Sequence, residues 1–261
     1  MEKQLHALRL QEFKNIFEKL KLDTTNSSVL EIGSGTGYQL ELLQSIFGRA
    51  FGIEIEDSTY AKYRSDKVRL YDGHRIPFDD NTFDYIFSSN VLEHIPHLEE
   101  ISNEFKRVLK PGGRCIHVMP THTWKFWSTL THYVAFVPRG LVKEFKKRLG
   151  KDSTDSQRPV RIKSTRARIY NMLYPERHGE RGNKYNEIFY FRPQWWIKHF
   201  KANGWEVESE FPVGVFYTGN SAFGENMGMN TRKTLSRFLG SSCHAFLVRP
   251  AGYDTHKIHT R

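Results

Sequence analysis

Residues 29–37 read Val-Leu-Glu-Ile-Gly-Ser-Gly-Thr-Gly, an apolar run feeding a glycine-rich turn, and Tyr38 to Phe47 then has the pattern of a helix. Val29, Leu30 and Ile32 suit a buried strand. Gly33, Gly35 and Gly37 let the backbone turn tightly and approach a ligand where a Cβ would clash. The spacing is Gly-x-Gly-x-Gly, whereas the dinucleotide fingerprint is Gly-x-Gly-x-x-Gly, which disfavours NAD and FAD. A P-loop is excluded because no Lys-Ser or Lys-Thr pair follows the glycines.

Taken alone, the turn is compatible with a mere tight strand-to-helix connection, but it is not alone. Ala50 to Glu56 (Ala-Phe-Gly-Ile-Glu-Ile-Glu) forms a second short strand ending at Glu54, 21 residues after Gly33. An acidic residue at that distance is where a ribose diol is held by carboxylate hydrogen bonds. A third strand, Val68 to Tyr71, stops at Asp72-Gly73. After Ile76-Pro77-Phe78-Asp79-Asp80-Asn81-Thr82-Phe83-Asp84, a fourth strand runs from Tyr85 to Ser88, and a fifth from Arg114 to Val118.

These segments, with Ser89-Asn90-Val91-Leu92-Glu93-His94-Ile95 and Arg107-Val108-Leu109-Lys110-Pro111-Gly112-Gly113-Arg114, resemble the class I S-adenosylmethionine-dependent methyltransferases, in particular the broad subgroup with the ubiquinone and menaquinone biosynthesis enzymes. The likeness spans about Val29 to Pro120. It implies an α/β Rossmann-like fold: a mostly parallel seven-stranded sheet with an antiparallel last strand, helices on both faces, and a helical insertion after the fifth strand. It also implies S-adenosylmethionine as cofactor. By the same resemblance Glu31, Gly33, Gly35 and Gly37 lie along its methionine part and Glu54 takes the ribose. Asp72 and Gly73 meet the adenine, and Ser89 and Asn90 line the methyl-transfer face. A plainer role for Ser89 and Asn90 is to cap a helix beginning near Val91. Glu56 and Asp57 read as surface residues and an N-cap.

The expected organisation is an amphipathic helix over 1–22, a cofactor-binding core over 23–120, and a basic, aromatic lid or substrate-binding insertion over 121–191. The core is completed over 192–250, with a smaller insertion at 214–240, and a flexible tail covers 251–261. In the first segment Leu5, Leu8, Phe13, Ile16, Phe17 and Leu20 recur at helical spacing, so this helix packs on the domain or partly covers the cofactor. A helix over Arg192 to Asn203 and strands over Trp205 to Phe211 and Ser242 to Val248 complete the sheet. At 261 residues and 38% apolar content the chain is long enough for a large core. Cys115 and Cys243 fall in apolar strand patterns and read as buried hydrophobes of a reducing compartment. With no secretory signal in Met1 to Leu22 and no membrane-length apolar run, a cytoplasmic protein is expected, with peripheral attachment to the inner membrane face as the variant.

Charge is uneven: residues 1–120 hold 15 Lys+Arg against 18 Asp+Glu, and residues 121–261 hold 24 against 11. The partner of the downstream half is therefore expected to be anionic or to lie on an acidic surface. Within the insertion, Trp124 to Val137 is aromatic. Gly140 to Leu149 sets Leu141, Val142, Phe145 and Leu149 on one helical face and Lys143, Lys146, Lys147 and Arg148 on the other. That pattern suits a helix lying in a membrane interface or a lid with a solvated basic face. Arg158, Arg161, Lys163, Arg166 and Arg168 suit phosphate groups or plain solvation.

Thr121, His122 and Trp124 follow the fifth strand and should face the methyl group. Trp124, His178 and Glu180 are candidate acceptor-binding residues, and His94, His122 and His178 are candidate bases, needed if the acceptor is a hydroxyl. Glu93, His94 and His97 on one turn suit a surface or cap, and no metal is expected. The function expected is O-methylation of an anionic or membrane-associated small molecule or glycan: a surface-polysaccharide sugar, a polyprenol-linked lipid or a quinone-type lipid. An RNA methyltransferase and a non-catalytic methyltransferase-like scaffold are the alternatives. The first lacks an RNA-binding module in the sequence, and the intact Gly33, Gly35, Gly37, Glu54 and Asp72 weigh against the second. Nothing in the sequence sets the oligomeric state.

Overall fold

The computed structural model describes residues 2–58, 61–138, 177–183, 186–219 and 227–252. Seven strands form one sheet: β1 (Ser28–Ile32), β2 (Arg49–Ile55), β3 (Val68–Tyr71), β4 (Phe83–Ser89), β5 (Leu109–Pro120), β6 (Trp205–Pro212) and β7 (Cys243–Pro250). Their order is β3-β2-β1-β4-β5-β7-β6. Every pairing is parallel except those of β7, which runs against both β5 and β6. The fold is therefore the expected one, antiparallel last strand included.

Alternation along the strands explains why both faces are covered. Leu30, Ile32, Ile86, Cys115, Phe246 and Val248 enter one core. Their neighbours Val29, Phe87, Ile116, Val118, Ala245 and Leu247 enter the other. A strand buried on both faces reads as a continuous apolar run, which is why these segments show no polar alternation. On the first face lie α3 (Leu98–Val108), through Leu98, Ile101, Phe105 and Val108, and α6 (Pro193–Ala202), through Trp196 and Phe200. The spacing in α3 is the i, i+3, i+4, i+7 stripe of an amphipathic helix. Trp205 Nε1 donates to the buried Ser102 hydroxyl of α3 at 2.6 Å, so the indole is buried with its polar handle satisfied.

The second face carries α1 (Glu2–Leu20) and α2 (Tyr38–Gln44). Leu8, Phe13 and Ile16 of α1 are buried, and Phe17 and Leu20 pack against the same core, whereas Leu5 is 39% exposed. Here α1 meets the end of the turn region: Tyr38 stacks on His6 at 3.9 Å between ring centroids.

Several boundaries differ from the sequence reading. Helix α2 ends at Gln44, because the Ser45 hydroxyl donates to the Leu42 carbonyl at 2.6 Å and the chain turns there. Strand β5 begins at Leu109, and a register shift between Phe83 and Tyr85 absorbs the Pro111-Gly112-Gly113 stretch. The helix expected near Val91 is one 3-10 turn, Leu92–His94, with no side-chain cap, so Ser89 and Asn90 do not cap it. The described part of the insertion is α4 (His122–Thr131), a π turn (His132–Phe136), residues 177–183 and α5 (Glu187–Tyr190). The second insertion contributes α7 (Met229–Leu239). The basic helix expected over Gly140 to Leu149 and the arginines from Arg158 to Arg168 lie outside the described residues, as does most of the tail. Cys115 and Cys243 are both buried and free. No helix among the described residues is long and apolar enough to cross a membrane.

Candidate active site

The sheet reverses direction of travel between β1 and β4, and ligands of open parallel sheets bind beyond the carboxyl ends at that point. The glycine turn leaves β1 there. Gly33, Gly35 and Gly37 have φ of +71°, +55° and +92°. At Gly33 a Cβ would lie 2.5 Å from Val91 Cγ2, so only glycine lets the turn pack under the segment after β4. The Gly33 and Ser34 N–H groups both donate to the Ile53 carbonyl, which ties the turn to β2.

Glu54, at the end of β2, is buried, and its two carboxylate oxygens accept the Gly35 N–H at 2.7 Å and the Ile55 N–H at 2.9 Å. Glu31 is buried with one carboxylate oxygen unpartnered. Burial, with the Glu54 charge adding to it, pushes Glu31 up to about 8. A cleft of about 670 Å³ opens at the ends of β2 and β3, lined by Ile55, Leu70, Tyr71, Asp72, Gly73 and, across from them, His94. Asp72 stands exposed at its rim. One of its oxygens accepts the His74 and Arg75 N–H groups, each at 2.8 Å, and these bonds hold its carboxyl below the usual range.

Asn90 adopts φ +55°, and its N–H donates to the Val118 carbonyl at 2.8 Å. Its amide oxygen accepts from Arg9 at 2.6 Å and from the Ser89 hydroxyl at 3.1 Å. Arg9 also pairs with Glu12 at 2.7 Å, and the Tyr217 hydroxyl donates to Glu12 at 3.0 Å. Thus α1 does more than cover a face: it delivers a half-buried arginine to the carboxyl end of β4. The sequence signal was Arg9 and Glu12 on the same stripe as Leu8 and Ile16, polar where the periodicity calls for apolar.

Residues 177–183 cross over the turn after β4. The Glu180 N–H donates to the Glu93 carbonyl at 2.8 Å, and Arg181 donates to the carbonyls of Ile95 at 2.9 Å and Leu92 at 3.4 Å. Glu187 anchors the same segment: one oxygen accepts the His178 and Gly179 N–H groups, and the other pairs with the buried Lys125. Consequently the rings of His94 and His178 lie 4.8 Å apart, and Trp124 lies 4.6 Å from His178. Burial, reinforced by His94, Lys125 and Arg9, pulls His178 down to about 4, and burial also lowers His94. Both imidazoles are therefore neutral at pH 7.

Glu93, a surface or cap residue by the sequence reading, is 2% exposed, and both its carboxylate oxygens are buried without a hydrogen-bond partner. Burial pushes it up to about 8 against the pull of Arg9 and Arg181. His97 instead faces His74 at the cleft, with 5.5 Å between ring centroids. Of the candidate bases, His122 stands apart: its charge neighbours are Arg192 and His244, and burial lowers it. The Thr121 hydroxyl caps α4 by accepting the Trp124 N–H and donates to the Ser241 carbonyl at 2.6 Å. Glu180 is exposed and paired with Arg177 at 2.9 Å.

Comparison with known proteins agrees with this geometry. A methyltransferase domain model matches residues 30–117. The sterol 4-C-methyltransferase strm-1 of Caenorhabditis elegans is 33% identical over 112 residues, covering 39% of this chain and 33% of that protein. A "Probable S-adenosylmethionine-dependent methyltransferase" of Mycolicibacterium smegmatis is 28% identical over 102 residues, covering 38% of this chain and 40% of that protein. The chain thus spans well under two thirds of these relatives. A protein solved in complex with the Haloferax volcanii Trm112 methyltransferase activator shares the fold, with a TM-score of 0.52 and 15% identity over 96% of this chain and 94% of that one. Glycine turn, strand order and the methyltransferase-domain match over residues 30–117 together support a class I S-adenosylmethionine-dependent methyltransferase, a family whose cofactor is S-adenosylmethionine.

Proposed function

We propose that the protein is an S-adenosylmethionine-dependent methyltransferase that methylates a hydroxyl of an anionic or membrane-associated small molecule or glycan. The observation that carries this reading is the group of Glu93, His94, His178 and Trp124 beside the cofactor cleft, with His94 belonging to both. A sulfonium methyl is already activated, so the protein's main task is alignment of the acceptor with carbon and sulfur. The acceptor oxygen attacks the methyl carbon as the carbon–sulfur bond breaks, and its electron pair stays on sulfur. The hydroxyl proton is lost to solvent on the open side of the Glu93–His94–His178 group. Glu31, Gly33, Gly35, Gly37 and Glu54 hold the methionine and ribose parts, Asp72 and Gly73 the adenine, and Ser89 and Asn90 border the methyl.

A lipid-attached acceptor is supported by the outward row Phe126, Leu130, Tyr133 and Val134 on the described part of the insertion, each at least 40% exposed. The sterol relative also acts on a lipid by its name, though its match covers 39% of this chain. The positive downstream half favours an anionic acceptor or surface.

The test is label transfer from methyl-labelled cofactor to a panel of a hydroquinone lipid, a polyprenol-linked sugar, an anionic oligosaccharide and bulk RNA. Label on a hydroxyl of one of the first three is expected. Label on RNA alone would establish the alternative, and cofactor binding without transfer to any acceptor would point to the scaffold reading.

A further inference from the structure

We propose that Glu93, His94 and His178 bind a divalent transition-metal cation, and that this cation, resting on the methyltransferase reading above, orients and acidifies the acceptor hydroxyl. One ligand atom from each residue lies within 4.8 Å of the other two, and Glu93 Oε1 is 3.8 Å from His94 Nε2. Metal–nitrogen and metal–oxygen bonds of about 2.1 Å place neighbouring tetrahedral ligands about 3.4 Å apart, so the group closes by side-chain rotations of roughly 1 Å. Two imidazoles and one carboxylate form the donor set of a site that keeps positions open, selective for borderline ions over Mg²⁺.

The second, independent observation is Glu93 itself. It is 98% buried, and neither carboxylate oxygen has a hydrogen-bond partner. A carboxyl left so in a protein interior either keeps its proton or is neutralised by a cation, and a cation held by the adjacent imidazoles would take the place of that proton. The nearby cations are already engaged: Arg9 with Glu12 and Asn90, Arg181 with the carbonyls of Leu92 and Ile95, Lys125 with Glu187. Glu93 instead points toward two ring nitrogen donors.

The third ligand comes from the insertion, and its place is built. Glu187 accepts the His178 and Gly179 N–H groups, and a Cβ at Gly179 would sit 3.1 Å from the Glu93 carbonyl. His94 is 45% exposed toward the cofactor cleft, which leaves the open coordination positions on the side where an acceptor enters. The expectation of no metal considered Glu93, His94 and His97 on one turn. The fold turns His97 away and substitutes His178, 81 residues downstream.

The test uses the full chain, stripped with EDTA and titrated with Zn²⁺ by calorimetry and with Co²⁺ by visible absorption. One equivalent of Zn²⁺ and a Co²⁺ ligand-field band typical of low coordination number are expected, with at least 10-fold weaker binding for His178→Ala and for Glu93→Gln. His94→Ala, altered at an exposed side chain, gives a further variant if the other two fail to fold. No stoichiometric Zn²⁺ uptake, or uptake unchanged in His94→Ala, overturns the proposal. Cofactor binding is titrated in the same samples. Cofactor retained without metal uptake removes the cation alone, whereas metal uptake without cofactor binding removes the methyltransferase reading.

Discussion

The Glu54 carboxylate accepts the Gly35 N–H at 2.7 Å, so the acidic tip of β2 and the glycine turn after β1 form one hydrogen-bonded unit. The residue assigned to the ribose therefore also shapes the loop assigned to the methionine part, and the two cannot be altered independently. Glu54→Ala is expected to weaken cofactor binding at least about 30-fold, or ~2 kcal/mol for charge-assisted hydrogen bonds lost. Calorimetric affinity within threefold of the parent would remove Glu54 from the site.

Gly33→Ala adds a Cβ that would be 2.5 Å from Val91 Cγ2, at a backbone φ of +71°. The left-handed conformation and the clash together should cost about 2–4 kcal/mol. Adding Val91→Ala removes the clash and leaves the backbone strain. The double variant should be more stable in thermal unfolding than the two single losses summed. Simple additivity would show that Val91 is not what the turn packs against.

Glu31 is shifted from 4.5 to about 8, so in the folded, cofactor-free protein it is mostly protonated at pH 7. A raised carboxyl pKa stabilises the fold fully below the unfolded value, and that stability is lost as pH rises from about 4.5 to about 8. A cofactor ammonium beside Glu31 favours the ionised form, so binding should release a proton at pH 7 and tighten as pH approaches 8. Calorimetry in two buffers of different ionisation enthalpy measures the release. A release that persists undiminished in Glu31→Gln would assign the proton elsewhere.

Lys125 and Glu187 form a buried pair that holds residues 177–183. Lys125→Met strands a buried carboxylate and should cost about 3–5 kcal/mol, much of it recovered in Lys125→Met/Glu187→Gln. Chemical denaturation checks this, and amide exchange at His178 and Gly179 should quicken in the single variant. A single-variant loss under 1 kcal/mol would mean the pair does not hold the segment.

The β1–β4 half of the fold was legible because a sheet covered on both faces needs uninterrupted apolar runs, and its turns need glycine where φ is positive. Those are local demands, written in adjacent residues. Boundaries failed where a local bond intervened, as at Ser45, or where a register shift lengthened β5. Arg9 was missed because a helical stripe reveals which residues are inward but not what each one meets.

By itself, then, the sequence determined the β1–β3 half and the residues proposed to hold the cofactor: Gly33 to Gly37, Glu54 and Asp72 lie within 40 residues, and short-range geometry dictates their types. Tertiary structure alone decided which residues gather in the group proposed to face the acceptor. It buried Glu93 beside His94, turned His97 toward His74, moved His122 away, and brought His178 within 4.8 Å of His94. The physical reason is that these neighbours are joined by bonds between distant segments, Glu180 to Glu93 and Glu187 to Lys125, whose energies depend on packing that no local pattern encodes.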